Sequence, residues 1–453
     1  MLDPSQIVTL CIFIGVFTFL IIGKVQRFIP VLIGAALTIL VVFLGILRSP
    51  DTAIGVLNFA EIGRPTFWIA GHEPIMAHGV NWQTIFFIGG MMVLVEGLRA
   101  VGFFRWLCLY TARMVNYRII PISIVFMLLA GVMSMFIDSI TELLFMASVI
   151  IELARILKFD PVPLIIATIF AANVGGSATM AGDPPNIIIG TSLGYTFNDF
   201  VVNTGPIAWT GMAAAVGYFY WRLRRDYAHT AVISANTAET QLKPQDAIIN
   251  HRLYKIQLAI FITVVFLIIT HAQSGLSMAM IGIIAALATI AAMGKETPSI
   301  MKGVDWRTLL FFIGLFICVG GLEETGILHL IAGFIGTTSG GNPFTMITII
   351  LWGSACASAV VDNIPFAATM VPIIVRLSQA TGVALPSLAW PLALGADIGG
   401  NATPIGASAN VVGVAIAEKA GYRVSWGRFL KYSLPITIIV LSICMLMLVT
   451  RYV

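Results

Sequence analysis

Charged residues are scarce in this sequence, and long apolar runs take their place. Asp, Glu, Lys and Arg make up 10% of the 453 residues, whereas average globular chains carry about 25%. Hydrophobic residues account for 58%, and the mean hydropathy is +0.97. This composition excludes a soluble protein with a large core, because apolar runs of about 20 residues are long enough to cross a bilayer. We predict an all-α polytopic membrane protein.

The zinc-hydrolase signature and the cysteine spacings of disulfide frameworks and metal clusters are also missing. The five cysteines are dispersed and never form C-x-x-C, and H-E-x-x-H does not occur. The loop at residues 48–81 contains His72, Glu73 and His78, but no ligand spacing recurs there. The net charge of +4 gives no reason to expect a nucleic-acid partner. We therefore expect no enzymatic activity, no cofactor and no bound metal.

The second half of the chain repeats the first half at a fixed offset of 224 residues. Trp82-Gln83-Thr84 aligns with Trp306-Arg307-Thr308, and Asp138 aligns with Asp362. Over residues 175–186, six of twelve positions are identical to residues 399–410. A duplicated half-protein with interrupted apolar segments at matching positions is typical of a secondary transporter and indicates its binding site.

We predict two inverted-topology repeats with about 10 transmembrane helices, two re-entrant hairpins and discontinuous helices at the midplane. The hairpins carry polar tips at residues 138–141 and 362–365, and two full spans around each tip remain the alternative. With hairpins, each half has five crossings, and an odd number inverts the second half. The predicted parts are a first repeat at 1–225 with a hairpin near 119–157 and a broken helix near 160–200, a cytoplasmic linker at 226–252, and a second repeat at 253–453 with a hairpin near 343–378 and a broken helix near 385–418.

The placement of positive charge tests this topology. It puts 21 of the 25 Lys and Arg residues on the inner side, as the positive-inside rule requires. We therefore expect a multi-pass protein of the inner (plasma) membrane with both termini outside.

Two polar, Gly- and Pro-rich stretches interrupt the apolar segments. Irregular backbone at membrane depth survives only where it is buried in protein or lines a polar cavity. Proline suits the first turn of a restarted helix, whose free amides then point into the gap. The predicted helix breaks are Gly175, Gly176, Gly182, Pro184, Pro185, Gly399, Gly400 and Gly406. The predicted substrate-binding side chains are hydroxyls and amides: Asn173, Ser177, Thr179, Asn186, Asn363, Asn401, Thr403, Ser408 and Asn410.

Acidic residues lie in or beside the four interrupted elements, whose tips contain no Lys or Arg. Intramembrane carboxylates are costly and usually serve protons or cations. A site with acids and no fixed positive charge favours a cation, a proton or a neutral polar solute over a di-anion. The candidates for ion or proton coupling are Asp138, Asp183, Asp362, Asp397 and Glu142. Alternatively, these acids cap helix ends or pair with peripheral arginines, as Glu142 would with Arg118 and Glu96 with Arg99.

The motifs GGSATMAGDPPNIIIG, VVDNIPFAATMVPII and GGNATPIGASANVVGVAIAEKAGY resemble the arsenite-permease and P-protein branch of the ion transporter superfamily. That superfamily also includes Na⁺/H⁺ antiporters and divalent anion/sodium symporters. The resemblance covers about residues 82–448. It implies a scaffold domain plus a transport domain, two opposed hairpins, a paired-motif substrate site and usually a homodimer. The tips here lack the Ser-Asn-Thr motif of the dicarboxylate branch.

The resemblance and the acid-rich tips together lead to a functional hypothesis. We expect arsenite or antimonite efflux driven by inward proton movement, because neutral As(OH)₃ needs hydroxyl and amide partners and no positive clamp. A Na⁺/H⁺ antiporter using the same acids is the alternative, and an organic-anion or amino-acid carrier is a third possibility. A channel is disfavoured by the duplicated plan. A cytosolic ATPase subunit is a possible further partner.

Overall fold

The computed structural model describes residues 3–23, 25–69, 79–228 and 243–453, and within these ranges the chain is α-helical. Residues 72, 73 and 78 and most of the predicted linker lie outside them. Helices of seven or more residues are α1 Pro4–Ile22, α2 Phe28–Ile46, α3 Pro50–Leu57, α4 Trp82–Ala100, α5 Phe103–Met114, α6 Ile119–Met133, α7 Ser139–Leu157, α8 Val162–Gly176, α9 Pro184–Leu193, α10 Phe197–Asn203, α11 Gly205–Asp226, α12 His251–Ile269, α13 Met278–Met293, α14 Thr297–Gly303, α15 Trp306–Glu324, α16 Ile327–Ser339, α17 Pro343–Ser358, α18 Asn363–Thr381, α19 Pro386–Gly400, α20 Ser408–Lys419 and α21 Trp426–Tyr452.

Eight of the described helices are long and apolar enough to cross a membrane. They are α1, α2, α4, α12, the continuous stretch Met278–Gly303 that contains α13, α15, α18 and α21. Shorter apolar helices, α6, α8, α16 and α17, lie between them. The prediction of an all-α polytopic membrane protein is confirmed. The sequence-based count was about ten spans, and whether α6–α7 and α17–α18 are re-entrant hairpins stays a prediction.

The duplication seen in the sequence recurs in the helix boundaries. Helix α4 begins at Trp82 and α15 at Trp306, while α8 ends at Gly176 and α19 at Gly400, each pair 224 residues apart. The packing repeats as well: α4 lies on α13 as α15 lies on α2, and α6 lies on α8 as α17 lies on α19. The inverted orientation of the two halves stays a prediction.

Glycine permits the closest of these helix contacts. A Cβ on Gly175 of α8 would lie 2.2 Å from the carbonyl oxygen of Gly131 in α6. At the matching place in the second half, a Cβ on Gly399 would lie 2.2 Å from the Cα of Ala355 in α17. Both distances are far below van der Waals contact. These two glycines therefore bring each interrupted helix against the helix that leads to the polar tip.

Helices α9 and α20, which restart after the interruptions, pack across the two halves. Helix α9 lies on α18 of the second half, and α20 lies on α7 of the first half. At the N-terminus of α9, Asp183 accepts a hydrogen bond from Asn363 at the tip of the second half, whereas Ser408 at the N-terminus of α20 donates to Asp362 at the tip of its own half. This exchange of packing partners brings residues about 200 positions apart into one polar region.

Candidate functional site

Two irregular segments, the first break (residues 177–183) and the second break (residues 401–407), separate α8 from α9 and α19 from α20. Gly175–Gly176 and Gly399–Gly400 are the last two residues of their helices, so the irregular backbone begins directly after the predicted glycine pairs, at residues 177 and 401. Pro184 and Pro185 open α9 as predicted for a restarted helix. Gly182 and Gly406 lie inside the breaks, where a Cβ would meet the carbonyl oxygens of Gly176 and Gly400 at 2.3 and 2.5 Å.

An asparagine from each restarted helix closes its own break. The Asn186 amide donates to the carbonyl oxygens of Gly176 at 3.1 Å and Thr179 at 3.2 Å. The Asn410 amide does the same to Gly400 at 2.8 Å and Thr403 at 2.7 Å. These carbonyls, which a broken helix leaves without partners, are thereby satisfied inside the protein. Asn186 and Asn410 thus fix the backbone shape of the two breaks.

Threonines tie each break to the polar tip of its own half. The Thr179 hydroxyl donates to the carbonyl oxygen of Met135 at 2.6 Å, and the Thr403 hydroxyl donates to that of Ala359. These four residues are again related by the 224-residue offset. In this structure, the hydroxyl groups of Thr179 and Thr403 therefore donate their protons to backbone carbonyls and are not available to donate to a substrate.

A pair of buried carboxyl groups joins the two halves. Asp183 is 3% exposed and Asp397 is fully buried. Asp183 accepts hydrogen bonds from Ser139 Oγ and from Asn363 Nδ2, both at 2.9 Å. Asp397 accepts from Asn186 Nδ2 at 2.8 Å, and Asn363 Nδ2 lies 3.5 Å from its other oxygen. The Asn363 amide therefore bridges the two acids, and we call these five residues the acid cluster.

Three asparagines form a second, neutral group, which we call the amide cluster. Asn173 Nδ2 donates to Asn401 Oδ1 at 2.9 Å and to Asn410 Oδ1 at 3.0 Å. All three side chains are buried. Asn173 Oδ1 and Asn401 Nδ2 have no hydrogen-bond partner within the protein. One buried acceptor and one buried donor are thus left without a partner. A polar ligand that forms a hydrogen bond with either atom would lower the free energy of the protein.

The acid cluster and the amide cluster occupy matching places in the duplicated plan. The contact of Asn186 with Asp397 in the acid cluster corresponds, at the 224-residue offset, to the contact of Asn410 with Asn173 in the amide cluster. Asp397 therefore stands where the first half has Asn173. Asp183 likewise stands where the second half has Ala407. Both acids lie where the two halves differ, so the chemistry of the site is asymmetric although its backbone is duplicated.

Asp362 is partnered by an arginine from the distant α1–α2 turn. Arg27 forms an ion pair with Asp362 Oδ2, and its guanidinium lies 2.5 Å from Ser408 Oγ. Ser408 Oγ in turn donates to Asp362 Oδ2 at 2.5 Å. The expectation of a polar region without fixed positive charge is therefore wrong at the second tip. The tips themselves contain no Lys or Arg, but the fold brings Arg27 to one of them across 335 residues.

The remaining predicted residues lie outside these clusters or make only local contacts. Asp138 caps α7, accepting from the Ile140 amide at 2.9 Å and from the Thr141 hydroxyl at 2.5 Å. The Ser177 hydroxyl donates to the carbonyl of Val174 in its own helix. Glu142 is buried, neither of its oxygens has a partner within the protein, and the predicted pairing with Arg118 is not formed. Glu96 pairs with Arg99 at 2.9 Å.

Residues 190–194 read GTSLG and match the G-x-S-x-G pattern of a serine nucleophile elbow. That pattern requires a sharp turn between a strand and a helix, whereas Ser192 lies inside helix α9. Its hydroxyl and that of Thr191 accept hydrogen bonds from the Asn81 amide at 3.1 and 2.9 Å. The serine therefore takes part in packing between α9 and α4.

Two functional candidates escaped the sequence analysis, Ser139 and Arg27. A signal for Ser139 existed, because it aligns with Asn363 at the 224-residue offset and both side chains donate to Asp183. No comparable signal marks Arg27. It falls in a short basic segment that the positive-inside rule already explains.

The helix pattern, the two buried breaks and the polar clusters between them define a multi-pass membrane transporter. Residues 17–395 match the model of the citrate transporter family, CitMHS. The chain belongs to this family.

Proteins similar in sequence agree with this assignment. An uncharacterized transporter of Mycobacterium tuberculosis is 34% identical over 381 residues, which are 83% of this chain and 87% of the relative. A 46 kDa membrane protein of Mycobacterium leprae is 31% identical, with 99% of each chain covered. The human P protein is 29% identical over 85% of this chain and 56% of its own length. The resemblance to the P-protein branch is thus confirmed.

Solved structures share the fold at low sequence identity. The YdaH transporter of Alcanivorax borkumensis superposes with a TM-score of 0.59 at 12% identity, covering 98% of each chain. MtrF of Neisseria gonorrhoeae, described among antimetabolite efflux pumps, superposes with a TM-score of 0.53 at 12% identity, covering 99% of this chain and 95% of MtrF.

Proposed function

We propose that the protein is a proton-coupled secondary transporter, in which the amide cluster binds a small neutral polar solute and the acid cluster carries the proton. Arsenite or antimonite efflux by alternating access is the function we put first. The observation that carries the proposal is the pairing of two chemically different clusters at matching places of one duplicated framework. Such an arrangement gives solute and proton separate groups while one backbone movement serves both.

The open atoms of the amide cluster support a neutral solute. Asn173 Oδ1 accepts and Asn401 Nδ2 donates, so a hydroxyl-bearing molecule such as As(OH)₃ can satisfy both. The hydrogen bond from Asn173 to Asn410 holds the Asn173 side chain in place. A neutral ligand leaves no uncompensated charge in this buried region.

The acid cluster supports the proton. Two carboxyl groups bridged by one amide and removed from water are costly to keep charged together, and a shared proton relieves the repulsion. Ser139, Asn186 and Asn363 each donate to these acids, so the cluster retains hydrogen bonds whether or not a proton is bound. Asp138, Asp362 and Glu142 remain secondary coupling candidates.

An organic-anion carrier is the second candidate, and two observations favour it. The family is described by citrate transport, and Arg27 supplies a cation at the second tip. Arg27 is, however, already neutralised by Asp362, so an anion would have to displace that carboxylate. A Na⁺/H⁺ antiporter would use the acid cluster and leave the amide cluster without a ligand.

We further propose, on the resemblance and the bacterial relatives, a plasma-membrane homodimer with both termini outside. A cytosolic ATPase subunit is not needed for this mechanism, because the acid cluster couples transport to the proton gradient.

Expression in bacterial cells that lack their own arsenite exporter separates these functions. We expect cells with this protein to accumulate less arsenic than empty-vector cells, because the solute leaves against its gradient as protons enter. Na⁺ tolerance and citrate uptake are measured in parallel. Arsenic content equal to that of empty-vector cells contradicts the arsenite proposal, and a gain of Na⁺ tolerance or citrate uptake then identifies the alternative.

A further inference from the structure

A single arginine connects the second tip to the first two helices of the chain. Arg27 lies at the start of α2 and contacts Asp362 at the N-terminus of α18 and Ser408 at the N-terminus of α20. We infer that Arg27 is a positioning residue that holds the second tip and the restarted helix α20 together against the α1–α2 turn. This inference goes beyond the proposed function and does not depend on which solute is carried.

The contact is specific to one half of the molecule. In the second half, Asp362 accepts hydrogen bonds from the Ile364 amide at 3.2 Å and from Ser408, in addition to its ion pair with Arg27. Its counterpart Asp138 caps α7 in the same way, but among the described residues its hydrogen bonds come only from Ile140 and Thr141 of its own segment. The two tips share one local geometry but are held differently. Within the described residues, the second tip is joined to the α1–α2 turn through Arg27 and the first tip is not.

The two ends of the ion pair differ in their exposure at the protein surface. The Arg27 side chain is 38% exposed, whereas that of Asp362 is 8% exposed. A cavity of about 240 Å³ lies beside them, lined in part by Leu20, Val25, Val360 and Ile405. If the ion pair separated, this space would give the Arg27 side chain room to move, and Asp362 would keep its hydrogen bonds from Ser408 and from the Ile364 amide.

These contacts have a consequence for movement of the second tip. Arg27 restrains both sides of the second break at once, because Asp362 contacts it from the tip and Ser408 from the helix that follows the break. Any transport step that moves α18 and α20 relative to α1 and α2 must first separate the guanidinium from this pair. The first tip needs no equivalent step.

Hydrogen–deuterium exchange of the full-length protein in lipid nanodiscs tests this role without any substrate. Arg27→Gln removes the charge, and we expect exchange of the amides at residues 359–364 to rise by about threefold or more, as local opening becomes easier. Asp362→Asn is expected to have a similar effect, because asparagine retains the helix cap but loses the ion pair. The double variant should exchange no faster than the faster single variant, since both changes remove one interaction.

Two controls separate this role from general loosening. The matching amides of the first half, residues 135–140, should exchange at the wild-type rate in every variant. Arg428→Gln breaks another ion pair, that with Asp160, and should leave the second tip unchanged. Arg27→Lys keeps the charge but not the planar group that reaches two partners, and should lie between wild type and Arg27→Gln.

An unchanged second tip in Arg27→Gln would overturn the inference, as would an equal rise at both tips or additive effects in the double variant. If Arg27→Gln does not yield folded protein, Arg27→Lys carries the test. Wild-type exchange at the second tip in that variant would then contradict the two-partner contact.

Discussion

Asp183→Asn and Asp397→Asn are each expected to abolish the effect of a pH gradient on transport while the protein still folds. Asparagine keeps the size and hydrogen-bonding capacity of the side chain but cannot bind and release a proton at physiological pH. Typical coupling between two sites changes affinity by about 5–150-fold, and we expect this factor to fall to about one in either variant. The measurement is the ratio of arsenite flux into proteoliposomes with an imposed pH gradient to the flux without one.

Removal of a carboxylate outside the cluster provides the control for this experiment. Glu152→Gln takes one negative charge from a partly exposed ion pair with Arg105 and should retain the wild-type response to the gradient. The double variant Asp183→Asn/Asp397→Asn should resemble the single variants, because the two acids act as one unit. A full response to the gradient in Asp183→Asn would remove the acid cluster from the coupling mechanism.

Asn173→Ala and Asn401→Ala are expected to weaken solute binding without removing the response to protons. Each substitution deletes one of the open polar atoms and also leaves a neighbouring buried amide without its partner. An unsatisfied buried polar group costs about 1–3 kcal/mol, so the KM for arsenite should rise by roughly tenfold or more. Initial rates of proteoliposome uptake over a range of arsenite concentrations provide the measurement.

A half-buried amide outside both clusters serves as the matched control for these two substitutions. Asn203 lies at the end of α10 and accepts a hydrogen bond from Tyr452 at the end of α21, and Asn203→Ala should keep the wild-type KM. If Asn173→Ala and Asn401→Ala also keep the wild-type KM, the solute does not bind at the amide cluster.

Under the proposed function, the asymmetry between the clusters lets a duplicated framework handle two ligands. Internal duplication by itself gives two equal sites. Here an aspartate replaces Asn173 at position 397, and another occupies position 183 where the second half has Ala407. Asp183 from the first half and Asp397 from the second half meet in the same cluster, so that cluster is acidic and the other remains neutral.

Much of this framework could be predicted from local sequence patterns. Apolar length and the fixed 224-residue offset predicted the helices, the duplication and the two interrupted segments. Pro184 correctly predicted where a helix restarts, because proline is favoured in a first helical turn. The role of the glycines was harder to predict. Gly175 was expected to break a helix, but it lies in the last turn of α8 and allows close contact with Gly131. That contact depends on tertiary packing, which local sequence does not show.

The partners of individual side chains could not be predicted, because they depend on how the halves cross. Asn173 meets Asn401 and Asn410 only because α8 and α19 approach each other with their breaks aligned. Arg27 reaches Asp362 from a segment outside the duplicated motifs, so the offset gave no information about it. Sequence patterns predicted the members of the two clusters apart from Ser139, whereas their grouping into an acidic and a neutral cluster required the fold.

The most direct test of proton-coupled solute transport is a measurement of proton movement driven by the solute alone. Purified protein is reconstituted into proteoliposomes that contain a pH-sensitive dye, and arsenite is added on one side with no pH gradient present. We predict proton movement opposite to the arsenite flux in the wild-type protein and none in Asp183→Asn. Arsenite flux without any proton movement in the wild-type protein would contradict the account.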